Sequence, residues 1–393
     1  MNFRPIFVIG LARSGTNLLA RMLDRHSHIT VALDPLLPLF RALRNSIVAA
    51  QAPPDVAARF DPSGAFQDYY FASDETARLD CILDCVVDGK ANLEIDRDAL
   101  GPLQESVVAR TALESPLLAQ RMTRLAGVGF AELLRSALTI IGADKPEAAW
   151  VGTKEVWIFE FVPLLARLFP AARFYAIERD PRAIVASLIA MAARDPSQAA
   201  HPPSYLRHWR KSIALARRFA SDPLLSKRFR AVSYEHLVAE PEVEARRLCA
   251  ELDLPFEPTM IALSADGWRG NSSYAQTERD VYASSTAAWR DTLAPEIART
   301  AEFFCAPEMT LTDYRAAAPP LDAGILDYLA RAGRAPGSWR SDSGDLLADL
   351  GGELLRHALL DTTNCGDDAL ARRCFLFKET YDAIRSKRGD FSQ

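Results

Sequence analysis

The chain has 393 residues, of which 49% are hydrophobic and 25% charged, and its formal net charge is -5. This length and composition are typical of a folded protein with a sizeable core, and they exclude a disordered or fibrous chain. The negative charge argues against general binding to nucleic acid or anionic membranes, because both attract a basic excess.

The early strand pattern, the length of the apolar runs and the scattered cysteines predict a soluble, cytoplasmic protein. A strand pattern starts almost at once, with no charged leader before an apolar segment, and no apolar run reaches the ~20 residues of a transmembrane helix. The six cysteines are scattered and are expected to be reduced. Cys81 and Cys85 have i,i+4 spacing, but no nearby His or Cys completes a metal site, so we expect none.

The first predicted element is the strand Ile6 to Gly10, followed by a small-residue turn and the start of a helix at about Asn17. Backbone N–H groups of such a turn and the positive end of the helix converge on one point, where an oxyanion of a nucleotide can bind. The alternative is a turn that serves packing alone. The pattern favours an anion site at this turn.

The same turn departs from the loop that binds nucleoside triphosphates. Gly10 and Gly15 have the spacing of G-x-x-x-x-G-K-[ST], but Thr16 stands at the Lys position and Asn17 at the Ser/Thr position. The Lys that grips the triphosphate and the hydroxyl that binds magnesium are therefore both missing.

Strand and helix patterns alternate along the chain and predict an α/β fold, with a parallel sheet covered on both faces. The strand patterns lie at Ile6 to Gly10, Trp150 to Thr153, Arg173 to Ile177 and Phe229 to Ser233. The helical patterns between them lie at Pro163 to Phe169, Pro181 to Ala193 and Pro241 to Leu252.

Two further regions read as mostly helical. Residues 36–148 form a large insertion, which either shapes an acceptor pocket or only covers the sheet. A Pro- and Ala-rich linker at 316–320 separates an α/β domain, residues 1–315, from a helical appendage, residues 321–393. The appendage has helical patterns at Leu321 to Arg331, Asp345 to Leu360 and Ala369 to Ile384.

A second strand-to-helix junction carries a cation at the carboxyl edge of the predicted sheet. Pro181 suits a first helical position after Asp180 as N-cap, which leaves Arg179 at the strand end and Ser187 two turns into the helix. Ligands of open α/β sheets bind at this edge, so Arg179 and the first turn are expected to line one crevice. The alternative for Arg179 is a solvated charge or a pair with Glu178 or Asp180.

Both junctions resemble those of one enzyme family. The run Arg13-Ser14-Gly15-Thr16-Asn17 resembles the 5′-phosphosulfate loop of sulfotransferases that use 3′-phosphoadenosine 5′-phosphosulfate (PAPS), and Phe174 to Ser187 resembles their 3′-phosphate segment. The resemblance is to tyrosylprotein and bacterial sulfotransferases. It implies a P-loop-like fold and assigns the following residues to nucleotide binding: Arg13, Ser14, Gly15, Thr16, Asn17, Arg179 and Ser187. Tyr234 joins them, because Tyr-Glu-His-Leu resembles the family's Tyr-Glu-x-Leu element.

The resemblance also implies catalytic residues. Asp34 stands at the distance from Arg13 where tyrosylprotein sulfotransferases carry a catalytic Glu, which implies a general base; the alternative is a turn cap before Pro35. Lys154 and Arg13 would stabilise charge on the transferring group, whereas Lys154 could instead pair with Glu155 or Glu160.

Other positions are less clearly matched. No histidine lies in a segment like the family's His base, and His201 and His208 are the least easily dismissed. Arg269, in the polar strip 266–285, is a candidate contact with the 3′-phosphate, or part of an exposed loop.

The implied activity is in-line transfer of the sulfuryl group of PAPS to a hydroxyl of a small-molecule or peptide acceptor, without a metal. Two alternatives stay open: a small-molecule kinase with a variant loop, and a catalytically silent nucleotide-binding protein. We expect no nucleic acid partner, and the sequence leaves homo-oligomerisation open.

Overall fold

The computed structural model describes residues 3–70, 79–89, 97–195, 202–262, 286–316, 346–362 and 367–390. Its centre is a five-stranded sheet with every neighbouring pair parallel, in the order β2-β3-β1-β4-β5. The strands are β1 (Arg4–Gly10), β2 (Ile29–Leu33), β3 (Trp150–Val156), β4 (Arg173–Glu178) and β5 (Phe229–Ser233). The predicted α/β class, a P-loop-like parallel sheet flanked by helices, is confirmed.

The strand β2 was missed by the sequence analysis. It is a short apolar run at the edge of the sheet, and such runs have no periodicity that separates strand from helix. Its register matters for the site, because Leu33 lies opposite Lys154 on β3. The next residue, Asp34, is thereby placed beside Lys154.

Helices cover the sheet, and they include the three that the helical patterns between the strands predicted. The helix after β1 is α1 (Thr16–Asp24). The insertion contains α2 (Leu37–Gln51), α3 (Pro54–Ala57), α4 (Leu79–Val87), α5 (Arg97–Ala112), α6 (Pro116–Met122) and α7 (Phe130–Gly142). The later helices are α8 (Val162–Leu168), α9 (Pro181–Arg194), α10 (Pro202–Ser221), α11 (Tyr234–Ala239), α12 (Pro241–Glu251), α13 (Trp289–Thr292) and α14 (Pro295–Met309).

The two faces of the sheet pack against different helices. Phe7 and Ile9 of β1 lie in a core shared with the insertion, α8 and α10, whereas Ile6 and Val8 lie in a second core with α1, α11 and α12. This alternation is that of a strand buried on both sides. It leaves the carboxyl edge of the sheet as the place where loops carry polar side chains.

All five strands deliver a predicted site residue to that edge. The turn around Arg13 follows Gly10, Asp34 follows β2, Lys154 lies two residues before the end of β3, Arg179 follows β4 and Tyr234 follows β5. Ligands of open α/β sheets bind at this edge. The topology therefore brings residues from five separate segments to one edge of the sheet.

The C-terminal part differs from its prediction at one point. Helix α15 (Leu346–Asp361) agrees with the pattern, but the expected helix Ala369 to Ile384 is two helices, α16 (Asp368–Phe375) and α17 (Lys378–Asp390). The break lies at Leu376, whose φ of 64° no α-helix accommodates. The pattern Leu321 to Arg331 lies outside the described residues, and none of the helices in the described part is long and apolar enough to cross a membrane.

Helix α15 is fixed to the rest of the chain by buried ion pairs. Glu353 accepts hydrogen bonds from Arg210 of α10, at 2.5 Å, and from Arg356, at 3.1 Å. Arg356 also pairs with Glu308 of α14, at 2.8 Å, and all four side chains are fully buried. Burial would raise the pKa of Glu353, but the two guanidinium groups bring this pKa below its ordinary value.

We expect Glu353→Ala to lower the free energy of unfolding by about 3–5 kcal/mol, because removing one member of a buried ion pair leaves its partner's charge uncompensated. Urea unfolding measures this. The matched control is Glu379→Ala, which removes the partner of Arg218 in an exposed pair and should change the free energy by less than about 1 kcal/mol. Equal effects of the two substitutions would contradict the interpretation.

Candidate functional site

The turn after β1 is shaped by two residues in the left-handed region. Arg13 has φ 74° and Gly15 has φ 100°. The Ser14 hydroxyl donates a hydrogen bond of 2.8 Å to the Leu11 carbonyl and closes the turn. Helix α1 starts at Thr16, so the backbone N–H groups of Thr16 and Asn17, which precede the first helical hydrogen bond, lie at the carboxyl edge of the sheet.

Two segments far apart in sequence meet at this turn. The Arg13 side chain donates from Nε to Ser187 Oγ at 2.8 Å, and Arg179 donates from Nη1 to the Arg13 carbonyl at 2.9 Å. Asp180 caps α9 by accepting the Arg182 N–H at 2.9 Å, as the sequence predicted. The Arg13 and Arg179 segments thus pack directly against each other.

Tyr234 packs between the turn and Arg179. The Arg179 guanidinium carbon lies 4.2 Å from the centre of the Tyr234 ring. On the other side, a Cβ added to Gly15 would lie 2.3 Å from Tyr234 Cδ2. Only glycine fits at position 15, because the backbone there has positive φ and the ring fills the space above it.

Asp34 lies at the end of β2, against β3. Its carboxylate accepts a hydrogen bond from Lys154 Nζ and another of 3.3 Å from the Val156 N–H. Its own N–H donates to the Lys154 carbonyl at 2.7 Å. Both side chains are buried, so Lys154 pairs with Asp34 and not with Glu155 or Glu160, the partners that the sequence left open. Glu160 instead pairs with Lys211, at 3.1 Å.

The insertion contributes Arg110, which the sequence analysis did not identify. Its Nη2 lies 3.4 Å from Asp34 Oδ2, and its Nε donates to the Asp34 carbonyl at 3.1 Å. Asp34 thus lies between two cations from different segments. No local pattern marks Arg110, because only the packing of α5 against other helices of the insertion brings it to Asp34.

A family model described as the sulfotransferase family matches residues 5–258. The chain belongs to the sulfotransferase family. The match includes the turn around Arg13, Asp34, Lys154, the Arg179 segment and Tyr234, and it ends before the C-terminal helices. No curated protein sequence gives a significant match.

Solved structures similar to this sulfotransferase include the sulfotransferase domain from the curacin biosynthetic pathway, with 16% identity and a TM-score of 0.41 over 84% of this chain and 97% of that chain. The sulfotransferase domain from the Synechococcus PCC 7002 olefin synthase has 16% identity and a TM-score of 0.40, over 77% and 95% of the two chains. A retinol dehydratase solved with androsterone and the inactive cofactor PAP has 11% identity and a TM-score of 0.38, over 80% and 82%.

The remaining residues of the turn are placed by packing. A Cβ on Gly10 would lie 2.5 Å from the Thr16 methyl carbon, so Thr16 packs directly on the end of β1. The Asn17 side-chain oxygen is buried and has no hydrogen-bond partner among the described residues. Thr16 and Asn17 therefore replace the Lys and the hydroxyl of a triphosphate loop with a packing contact and an amide.

Three aromatic side chains of this sulfotransferase form a cluster at the end of β3, and one of them, Tyr205, lies near Arg13. Trp157 follows β3 with φ 71°, and its ring centre lies 5.0 Å from that of Tyr205 and 4.7 Å from that of His208. Burial lowers the pKa of His208 to about 3, helped by the charge of Lys211, so its imidazole is neutral. Trp157 is a non-glycine residue with positive φ directly after a strand, and no sequence pattern predicts that conformation.

Some sequence-predicted candidates are not placed. Arg269, the strip 266–285 and His201 lie outside the described residues. In the described part of the chain, no group of three or more His, Cys, Asp or Glu side chains is arranged to hold a metal ion.

Glu155 is a buried carboxyl next to the Asp34–Lys154 ion pair. It accepts the Leu36 N–H at 2.8 Å and has no exposed surface. Burial, followed by the negative charge of Asp34, raises the pKa of Glu155 well above its usual value. The folded protein therefore keeps a proton on Glu155 at a pH where the unfolded chain releases it.

We expect Glu155→Gln to stabilise the protein increasingly as the pH rises above about 4.5. Above this pH the unfolded wild-type chain releases the Glu155 proton but the folded protein keeps it, so the stability of the wild type falls. Each unit by which the folded pKa exceeds the unfolded one costs ~1.4 kcal/mol at high pH, and the amide avoids this cost. Urea unfolding at pH 4 and pH 8 measures the difference.

The control for Glu155→Gln is Glu257→Gln, for which the sign is opposite. Burial opposes the shift, but hydrogen bonds from Ser27 bring the pKa of Glu257 below its usual value. Its carboxylate therefore stabilises the fold above the unfolded pKa, and the Gln variant should be less stable at pH 8 than wild type. A Glu155→Gln effect that does not change with pH would contradict the assignment.

Proposed function

We propose that this sulfotransferase uses PAPS as its sulfuryl donor and transfers the group to a hydroxyl of a small-molecule or peptide acceptor. The observation that carries the proposal is the contact of Arg13 with Ser187 and of Arg179 with the Arg13 backbone, which joins two cationic segments into one surface. A nucleotide with phosphate groups at both its 3′ and 5′ positions matches such a surface.

The donor groups of this surface fit the proposed nucleotide. Guanidinium groups fork onto two oxygens at once, and the N-terminus of α1 favours an anion. Arg179 is held by Tyr234 and by the Arg13 carbonyl, so its position is fixed before a ligand binds. We assign Arg13, Ser14, Gly15, Thr16 and Asn17 to the 5′ end, and Arg179, Ser187 and Tyr234 to the 3′ end.

The catalytic roles follow from charge and position. PAPS would supply an activated sulfuryl group, whose transfer passes through a loose transition state in which positioning and charge neutralisation matter most. Asp34 would accept the proton of the acceptor hydroxyl as the new S–O bond forms. Lys154 and Arg13 would stabilise the charge left on the phosphate oxygen, with no metal in the reaction.

The remaining assignments are also proposals. We place the catalytic unit in residues 1–315 and treat 321–393 as a helical appendage, and we propose a cytoplasmic location. We also propose that the aromatic side chains of Trp157 and Tyr205, whose ring centres lie 5.0 Å apart, contact the acceptor. The kinase alternative has only the spacing of Gly10 and Gly15 in its favour, and the Thr16 contact with Gly10 counts against it.

Transfer of radiolabelled sulfate from PAPS tests the proposal. Purified protein is incubated with the labelled donor and a panel of phenols, aliphatic alcohols and tyrosine-containing peptides, with a cell extract as a wider source of acceptors. We expect label in at least one hydroxyl-bearing acceptor in the presence of EDTA. Transfer of phosphate from ATP to the same panel, with no sulfate transfer, would support the kinase instead.

A further inference from the structure

Trp209 of α10 contacts the backbone of Arg179. Its indole N–H donates a hydrogen bond of 2.9 Å to the Arg179 carbonyl, and the Trp209 side chain is buried. This carbonyl lies directly after β4 and one residue before the cap of α9. The bond therefore fixes the backbone from which the Arg179 side chain extends.

Helix α10 is itself held in place on several sides. Arg207 pairs with Asp68 at 2.7 Å, and Lys211 pairs with Glu160 at 3.1 Å. Arg210 pairs with Glu353 of α15 at 2.5 Å. Because residues before and after Trp209 are tied to the insertion and to the C-terminal part, the indole presents its N–H from a rigid support.

The Arg179 side chain has its own contacts at the other end. Its Nη1 donates to the Arg13 carbonyl, and its guanidinium lies over the Tyr234 ring. These contacts orient the guanidinium only if the backbone behind it stays in place. The Trp209 hydrogen bond holds the Arg179 carbonyl, and it comes from α10, which lies outside both the Arg13 and the Arg179 segments.

We propose that Trp209 is a positioning residue for recognition of the nucleotide 3′-phosphate, acting through the Arg179 backbone. This inference rests on the proposed function, because it assigns the 3′-phosphate to Arg179. It extends that function by making α10, with its ties to the insertion and to α15, part of the nucleotide-binding machinery.

The test compares adenosine 3′,5′-bisphosphate (PAP), which carries the 3′-phosphate, with adenosine 5′-phosphate, which lacks it. Calorimetry gives the ratio of the two Kd values for wild type and for Trp209→Phe, which removes the indole N–H and keeps an aromatic ring. Loss of one buried hydrogen bond should lower the preference for PAP roughly tenfold, with adenosine 5′-phosphate bound as in wild type.

Trp150 provides a matched control. It is also a buried tryptophan whose indole N–H donates to a backbone carbonyl, that of Leu252, at 3.0 Å. It begins β3, at the opposite edge of the sheet. Trp150→Phe should lose stability to a similar extent as Trp209→Phe and keep the wild-type preference for PAP.

A second replacement at position 209 tests the proposal if the Trp209→Phe variant folds poorly. Incorporation of 3-benzothienylalanine at position 209 substitutes sulfur for the indole N–H with almost no change of shape, and the same ratio is measured. An unchanged PAP preference in this protein, with a clear preference in wild type, overturns the role of Trp209. No preference for PAP in wild type would instead overturn the proposed function.

Discussion

Replacing Asp34 by Asn is expected to lower turnover of an identified acceptor by about 10²–10⁴-fold, the usual contribution of a positioned general base. The amide keeps the size of the side chain and an oxygen for the Val156 N–H, but it cannot take a proton from a hydroxyl. The Kd for PAP should stay within about threefold of wild type, because we propose that Asp34 acts on the acceptor and does not contact the nucleotide.

The control for Asp34→Asn is Asp24→Asn. Asp24 also accepts a backbone N–H, that of Val31 at 3.0 Å, and lies near a lysine, Lys145, at 3.5 Å. It ends α1, away from the carboxyl edge of the sheet, so its removal should leave turnover unchanged. Steady-state kinetics and isothermal calorimetry on both variants give the comparison, and undiminished turnover in Asp34→Asn would show that another group is the base.

Replacing Gly15 by Ala is expected to weaken PAP binding on the order of a hundredfold. The alanine would have to adopt φ near 100°, and its Cβ would lie 2.3 Å from the Tyr234 ring. Left-handed strain costs roughly 1–2 kcal/mol and overpacking about 1–3 kcal/mol, and any movement of the Tyr234 ring also disturbs its contact with the Arg179 guanidinium. Calorimetry with PAP measures the loss.

Gly351→Ala is the matched control for the glycine substitution. Gly351 lies in helix α15, and a Cβ added there meets no atom within 4 Å. An alanine at such a helical position should stabilise the protein by about 0.5–1 kcal/mol and leave PAP binding unchanged. If Gly15→Ala bound PAP as tightly as wild type, the turn around Gly15 would not be the nucleotide site.

The fold could be predicted where local pattern and architecture agree. The buried runs at Ile6 to Gly10 and Arg173 to Ile177 precede helices with recognisable starts, and both strands are present. The edge strand β2 was missed, because five apolar and β-branched residues between two helices carry no period. The break at Leu376 was missed because no glycine marks that positive φ.

In the candidate site, too, residues in local motifs could be predicted, and residues placed by tertiary packing could not. Arg13 and Arg179 each lie in a motif that a few neighbouring residues define, so the sequence could place both at a strand end. The partner of Lys154 could not be chosen from the sequence, since it depends on the register between β2 and β3. Arg110 and Trp209 reach the site through packing of distant helices, which leaves no trace in local spacing.

The central claim is that one nucleotide with phosphates at both ends bridges the Arg13 and Arg179 segments. Calorimetry tests it most directly. PAP and adenosine 5′-phosphate are titrated in the presence of EDTA, and ATP is titrated with magnesium and without EDTA. We predict that PAP binds without metal and at least about tenfold more tightly than adenosine 5′-phosphate, as expected for a second charged anchor. The claim would be contradicted if ATP with magnesium bound and PAP did not, or if PAP and adenosine 5′-phosphate bound equally tightly.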